Sequence, residues 1–521
     1  MSPPLSRRSP LCALLAPALA ALLSSLPAAA QDNTGGGAPA GAPAGYQGGG
    51  NLSSIPDPGQ VFGGGGPGAF LGLALARDNG DLYLKTVINF DLSLGPVGLG
   101  LALPLSVLVL NDGDTGCPSP QCSRDTKAIG GWIRRHDWDE PGDYLRFLRY
   151  VRYGHKRDPF YALVGQHWGS SVGHGTLVNR YNNTLNLDSN KVGVALDLNL
   201  TYGGVETLVD NIVDPNLLAG RVYIRPFGVT PLLRGWAVGA TLASDLSAPR
   251  NLAYTTAQGG GSQVAVDDKG HPLASFSDAQ LAGGIDTEYE LLNTALLRVV
   301  PFIDANRIAG AGNGLHLGVM GGAVLPIPLL EVTLDARLEY RFMQAGYIPE
   351  YFDQQYDLAR FQYAYGAGYV PKATAARALK RDPKTGTQGY YGELAFNFAG
   401  FIQVGGTLQD YQSDNGASLG LYLTIPKIEF VKLQGYYLRK NFAGLGEAFT
   451  LDSRSLLGGS LAYKLFGPLY LRAQYERTWV VNPGAIGTGS AVTAVDNFGF
   501  GVAMFLPFGG TPGAAGPPPA P

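Results

Sequence analysis

Apolar and polar residues alternate with a period of two through much of this chain. The clearest run is EVTLDARLEYRF at 331–342. Glu331, Thr333, Asp335, Arg337, Glu339 and Arg341 fall on one side of an extended backbone, and Val332, Leu334, Ala336, Leu338, Tyr340 and Phe342 on the other. Successive strand side chains point to opposite faces, so the segment predicts a strand with one ionic and one apolar face. A helix would scatter both sets round its surface. From Asp81, Leu82, Leu84, Ile88, Phe90 and Leu92 alternate with Tyr83, Lys85, Asn89 and Asp91. Residues 191–202 set Val192, Val194, Leu196, Leu198 and Leu200 against Lys191, Asp197 and Asn199. Ile285, Tyr289 and Leu291 oppose Asp286, Glu288 and Glu290, and Leu394, Phe396 and Phe398 oppose Glu393 and Asn397. The last run carries Phe498, Phe500, Val502, Met504, Leu506 and Phe508 between mostly small residues.

Residues 92–111 carry no charge and are long enough for a transmembrane helix. Pro96, Pro104 and several glycines are poor helix residues, and Leu99, Leu101, Leu103, Leu105, Val107 and Val109 keep the period of two. The segment predicts a strand, with Pro104 its one blemish. In all, about twenty strands are expected between Ala69 and Phe508. Long connections fall at 111–142, 167–189, 245–277, 344–387, 441–453 and 482–493, each after an odd-numbered strand. Connections after even-numbered strands are mostly short, as at Gly95-Pro96, His155–Asp158, Gly203-Gly204, Pro426-Lys427 and Gly467-Pro468. A soluble sandwich has no reason to lengthen every second loop, whereas a transmembrane barrel does.

Composition sharpens this. Charged residues are 15% of the 521, against about 25% in soluble domains. Glycine, at 74 residues, is about twice its usual share, with no three-residue period, so collagen is excluded. A hydrophobic content of 45% excludes simple disorder, and a formal charge of −3 gives no basic footprint for nucleic acid. Arg7-Arg8, the apolar stretch from Leu11 to Leu26 and Ala28-Ala29-Ala30 read as a signal peptide over 1–30. Residues 31–68 are a Gly/Pro-rich flexible linker, 69–508 the barrel, and 509–521 a Pro/Gly-rich disordered tail. Export implies an oxidising compartment, so Cys117 and Cys122 are expected to form a local disulfide.

With its signal peptide, its dyad runs such as EVTLDARLEYRF, its alternating loop lengths and its terminal FGFGVAMFLPF, the chain resembles bacterial outer-membrane β-barrel proteins of the porin-like class. Thirteen residues follow Phe508, whereas such proteins usually end on the aromatic itself. The resemblance implies an all-β, transmembrane, antiparallel up-and-down β-barrel of about 18–20 strands, with long extracellular loops and short periplasmic turns. It implies residence in the bacterial outer membrane, contact with outer-membrane lipid and lipopolysaccharide, and insertion by the barrel assembly machinery. An even strand count puts both termini in the periplasm. Tyr83, Tyr144, Tyr202, Tyr340, Tyr390, Tyr422, Tyr437 and Tyr475 suit interfacial girdles.

Function is expected in the lumen first. Arg221, Arg225, Arg337 and Arg341, with Asp286, Glu288, Glu290, Glu331, Asp335 and Glu339, are candidates for a mixed-charge lining that tunes selectivity. Cross-strand pairing that only satisfies a polar interior explains the same signs. Among the loops, 132–143 (WIRRHDWDEPGD) could constrict the pore or bind a surface ligand. Residues 344–387 place Tyr347, Tyr351, Tyr356, Tyr363 and Tyr365 beside Lys372, Arg377 and Lys380, which suits either a glycan or packing onto neighbouring loops. Residues 165–183 gather His167, Ser170, Ser171, His174 and Asn179, but glycine-rich loop geometry explains the segment without catalysis, and no nucleophile elbow is present. No zinc spacing or EF-hand spacing occurs, so no metal, cofactor or enzyme activity is expected. A folded N-terminal plug is not expected either, because only 31–68 precede the barrel and they hold almost no core formers, though the segment could thread the lumen as a disordered stopper. The expected function is an outer-membrane channel for small polar solutes. The alternatives are a closed or gated barrel whose outer loops bind a surface partner or glycan, and a polysaccharide or protein export conduit with a periplasmic partner.

Overall fold

The computed structural model describes residues 68–507 apart from 79–80, 111–132, 134–136, 139–141, 185–190, 231, 257–261, 266–271, 328–329, 362, 366–367, 382–385, 413–416, 453 and 482–491. The expected signal peptide, linker, tail and Cys117–Cys122 disulfide lie outside the described residues. Twenty strands form the wall. They are β1 (Gly68–Asp78), β2 (Asp81–Leu94), β3 (Val97–Leu110), β4 (Leu148–Tyr153), β5 (Phe160–Gly165), β6 (Gly193–Leu200) and β7 (Gly203–Val209). Next come β8 (Leu217–Ile224), β9 (Trp236–Leu252), β10 (Ala274–Tyr289), β11 (Leu297–Ile308), β12 (Asn313–Ile327), β13 (Leu330–Met343) and β14 (Thr387–Phe398). The ring ends with β15 (Ile402–Tyr411), β16 (Ala417–Ile425), β17 (Val431–Phe442), β18 (Ser455–Phe466), β19 (Leu469–Val481) and β20 (Val492–Pro507).

Each strand pairs antiparallel with its chain neighbours, and β1 also pairs with β20, from Gly68 opposite Pro507 to Arg77 opposite Phe498. That last pairing closes the sheet and removes both edges, the condition a spanning sheet must meet in hydrocarbon. The six long connections all follow odd-numbered strands and lie at one end, as their spacing predicted. Not every connection at that end is long: 210–216 and 309–312 are tight. The opposite end carries mostly short turns, with 225–235 the longer exception and Gly95 and Gly467 in the left-handed conformation that a Cβ disfavours.

The outward face is the apolar one. Leu338, Ile285, Phe500 and Leu471 are 50–66% exposed on their strands. Burying each would be worth about 1.5–3 kcal/mol, so the band needs lipid where a soluble fold would use a core. The chain is thus an outer-membrane β-barrel. Pro104 sits where β3 has run past its neighbour, since β4 stops with Leu148 opposite Leu101. Its missing N–H therefore falls where the ladder is one-sided. Two of the expected girdle tyrosines are corrected. Tyr83 and Tyr422 are almost fully buried on the inner face, while Tyr144, Tyr202, Tyr390 and Tyr475 are exposed. Tyr83 shares strand parity with Lys85, and Tyr422 accepts a hydrogen bond from the Gln354 amide.

Candidate functional site: a lumen crossed by an insert

The inner face carries the ionic half of each dyad run, and register decides which charges meet. Arg221 on β8 lies beside Glu206 on β7, and Arg337 on β13 beside Glu393 on β14. Between β10 and β11, however, Asp286 lies directly opposite Asp304. Like charges in that position repel. Two cations resolve it. Arg221 donates to Asp286 at 3.0 Å and to Glu206 at 3.2 Å. His174, from the connection between β5 and β6, places its ring nitrogens 2.7 Å from Asp304 and 2.8 Å from Glu288, and stacks on Phe302 at 4.3 Å. Burial disfavours the imidazolium, but the two carboxylates outweigh it and push the His174 pKa up to about 10. Both nitrogens then carry protons, and the ring bridges two wall strands as a cation. His174, Asp286 and Asp304 lie close enough to crowd a metal ion. The imidazolium and Arg221 already supply the positive charge there.

A second cluster lies on β12 and β13. Arg341 donates to Glu339 at 2.7 Å and to Glu350 at 3.0 Å, Arg337 pairs with Glu339, and His316 contacts Glu339 at 2.9 Å. The Arg341 guanidinium lies 4.1 Å from the centre of the Tyr391 ring. Of the expected lumen residues, Arg221, Asp286, Glu288, Arg337, Glu339 and Arg341 thus enter buried ion-pair networks. Asp335 shares their face, opposite Gly322. Arg225 and Glu290 sit at the short-turn rim instead. There Arg225 donates to Asn199 and the Leu200 carbonyl, and Glu290 accepts from Arg298 at 3.2 Å. The Glu331 side chain lies outside the described residues.

Residues 166–184 run into the lumen. Short strands Ser170–Val172 and Val178–Tyr181 pair within this insert, and Phe352–Asp353 of the 344–386 connection adds in parallel to Val178–Asn179. Val172, Leu177, Val178 and Tyr181 of one insert pack with Tyr347, Tyr351, Phe352 and Tyr356 of the other. Both rest on Leu208, Leu217, Ala243, Ala282 and Ile308, the apolar inward positions near the long-loop end. The tyrosine-rich connection therefore packs inward. Its helix Lys372–Lys380 buries Lys372, whose ammonium donates to the Tyr351 carbonyl at 2.6 Å. Burial pushes the Lys372 pKa down to about 8.

The insert touches opposite walls. His167 Nε2 bonds the Val209 carbonyl on β7 at 3.0 Å. Its neighbour Trp168 packs against Tyr422, Leu438 and Leu456, on β16, β17 and β18. In a ring of twenty, β7 and β17 are ten strands apart, half the circumference. A circular ring of that size would be about 40 Å across, from ~4.8 Å per strand and a ~40° tilt. Two adjacent side chains cannot span that, so the barrel is flattened here and the insert divides its lumen. Asn179 and Arg180 extend the contact to β14, through Tyr391 and Glu393.

The sequence pattern missed His174, His316, Asp304 and Glu350 as parts of these networks. His174 was visible as a histidine in a glycine-rich loop, but its partners lie more than a hundred residues away. His167 Nδ1 lies 2.9 Å from Ser170 Oγ, yet its other nitrogen is held by a backbone carbonyl rather than a carboxylate. His167 is fully buried while Ser170 is half-buried, and burial pushes the His167 pKa down to about 4. In the outer connection, Arg146 pairs with Asp137 at 2.9 Å, engaging one of the acids in the 132–143 motif.

No family model matches the sequence, and no curated protein is similar to it. Several solved structures align with most of the chain at low identity and low TM-score. OpdL of Pseudomonas aeruginosa is 11% identical, with a TM-score of 0.29, over 84% of this chain and 96% of that one. Wzi of Escherichia coli, described as a carbohydrate-binding β-barrel involved in group 1 capsule assembly, is 10% identical, with a TM-score of 0.29, over 84% of each chain. The ferric enterobactin receptor PfeA is 10% identical, with a TM-score of 0.31, over 85% of this chain and 81% of that one.

Proposed function

We propose that this barrel is a narrow diffusion channel for small polar solutes, with the insert at 166–184 setting the width of the passage. The observation that carries the reading is the contact of His167 and Trp168 with walls ten strands apart. The sector filled by the two inserts is sealed by an apolar core and neutralised ion pairs. On this reading the passage runs on the other side, along β1–β5 and β18–β20, where Lys85, Asn89, Asp91 and Arg152 share the inward parity. Solutes would be filtered by size at the insert and by charge along that wall. The His167–Ser170 pair is read as a brace, not a catalytic dyad, because the other imidazole nitrogen is held by the Val209 carbonyl.

Single-channel recording of refolded protein in a planar bilayer tests this. Steady ohmic steps are expected, and Trp168→Ala should raise the unit conductance by withdrawing the ring that meets β16–β18. Silence from protein shown to be folded would overturn the reading. The barrel would then be closed, and loop-mediated binding of a partner or glycan, or gated export with a periplasmic partner, would take its place.

A further inference from the structure

We propose that the connection between β17 and β18 folds down the outside of the barrel as a lip, and that Leu445, Phe449 and Leu451 seat among the acyl chains of the outer leaflet. Strand parity fixes the side. Leu438 on β17 packs with Tyr422, Leu456 and the insert residue Trp168, so it points into the lumen. Its neighbours Tyr437 and Arg439 therefore point outward. The connection holds both of them there. The Tyr437 hydroxyl donates to the Ala448 carbonyl at 2.8 Å. Arg439 donates to the Thr450 carbonyl and grips Asp452 through both terminal nitrogens, at 2.8 and 3.0 Å. An arginine on the outward face is thereby left only 1% exposed. Ala448 packs on Ala417 and Phe442, at the long-loop ends of β16 and β17, with Leu419 against them.

Depth follows from the strand. Phe430 and Phe466 are exposed beside the short turns and mark the lower edge of the apolar band. A strand tilted about 40° climbs ~2.6 Å per residue along the membrane normal. Tyr437 is seven residues beyond Phe430 and Arg439 nine, which puts them about 18 and about 23 Å up a band ~25 Å tall. The connection thus covers the wall inside the band. β16, with nine residues, is at the lower limit for a spanning strand, and the lip adds apolar surface beside its upper end.

The surface of the lip suits that depth. Phe449 stacks on Tyr437 with ring centroids 5.9 Å apart, yet it remains 71% exposed, Leu445 is 74% exposed, and Leu451 is exposed as well. Leu421 and Leu457 lie opposite Tyr437 on the two flanking strands, so these side chains continue the lipid-facing belt. Hydrocarbon is the medium on that side of the wall at that depth, which makes acyl chains the partner. The polar part of the clamp carries no net charge, because Arg439 and Arg454 share Asp452 and Glu447. Two bases matched by two acids can lie near the edge of the band, where an unpaired base would be costly.

Hydroxyl-radical footprinting of the native protein, in nanodiscs holding one copy each, tests the depth. Phe276 on β10 is the reference, because it is exposed and, thirteen residues from Tyr289, stands about 34 Å up by the same rise. Phe449 should be oxidised about fivefold more slowly than Phe276, or slower still. Comparable rates would place the lip in water and overturn the proposal. The partner is read from Phe449→Trp in phosphatidylcholine with brominated acyl chains. The tryptophan emission that the variant adds to that of the native protein should be quenched by about half or more. Protection from radicals without that quenching would mean that protein covers the lip, and would overturn the proposal as well. If the variant does not fold, the native oxidation rates decide. None of these outcomes depends on whether the lumen conducts.

Discussion

Replacing His174 by Gln probes the joint between insert and wall. The glutamine keeps much of the side-chain volume but removes the charge that holds Glu288 and Asp304 together. Breaking a buried charge pair by deleting one partner costs about 3–5 kcal/mol. The lower figure applies here, because Asp304 keeps the Thr176 hydroxyl and Glu288 keeps Arg221 at 3.6 Å. The cost falls on the insert, since no barrel ladder runs through His174. Protection of amides 166–184 against hydrogen exchange should drop by about two decades, at ~1.4 kcal/mol per decade, while the strands keep theirs. The pH dependence has a definite sign. A histidine whose pKa is raised from 6.5 to about 10 on folding contributes stability that is full below pH 6.5 and lost as pH rises through about 10. Insert protection factors in the native protein should therefore fall on the alkaline side, and those of the variant should not follow. Unchanged protection in the variant would refute the reasoning. So would a native insert that loosens between pH 7 and pH 5.

Gly193→Ala should loosen the same insert from its other end. A Cβ there would stand 2.3 Å from His167 Nε2 and 2.4 Å from the Val209 carbonyl, so the bond between them must give; about 1–3 kcal/mol of local stability is at stake, read by proteolysis within 166–184. Lys372 gives the opposite pH response to His174. Its pKa falls from 10.5 to about 8 in the folded loop, so the protonated form is penalised there. Exchange protection across 350–380 should rise as pH passes upward through 8, and a fall would count against burial as the cause.

The wall was legible in the sequence because lipid imposes a strict alternation on it. Leu338 and Phe342 face outward, and Arg337, Glu339 and Arg341 inward, as 331–342 predicts. Loop-length parity added the hand of each connection. The two girdle tyrosines that turned inward show where that reasoning stops. A tyrosine is at home at a membrane interface or in a polar lumen, so residue type does not choose the side. Only parity with charged neighbours does, and for Tyr83 the neighbour Lys85 already pointed inward. The inserts were not legible at all. No period marks 166–184, and its contacts join residues separated by more than a hundred positions, such as His174 with Asp304 and Asn179 with Tyr391. Composition counted acids and bases without showing which of them register brings together, such as Asp286 with Asp304.

The facing carboxylates bear on what the insert is. A lid rests on a wall that is complete without it. Here the wall alone would set Asp286 against Asp304, with Glu288 two residues along the same strand. Arg221 satisfies the first of these carboxylates and reaches the third only at 3.6 Å. The remaining charge is met by His174, which belongs to the insert. The apolar inward positions Leu208, Leu217 and Ile308 likewise have their covering in the inserts. Withdrawing 166–184 into solvent would expose that apolar surface and take both the His174 cation and the Thr176 hydroxyl away from Asp304. On the proposed channel reading, changes of passage width are therefore expected as small displacements at the Trp168 edge, where the insert meets β16–β18 through apolar packing, and not as release of the His174 joint.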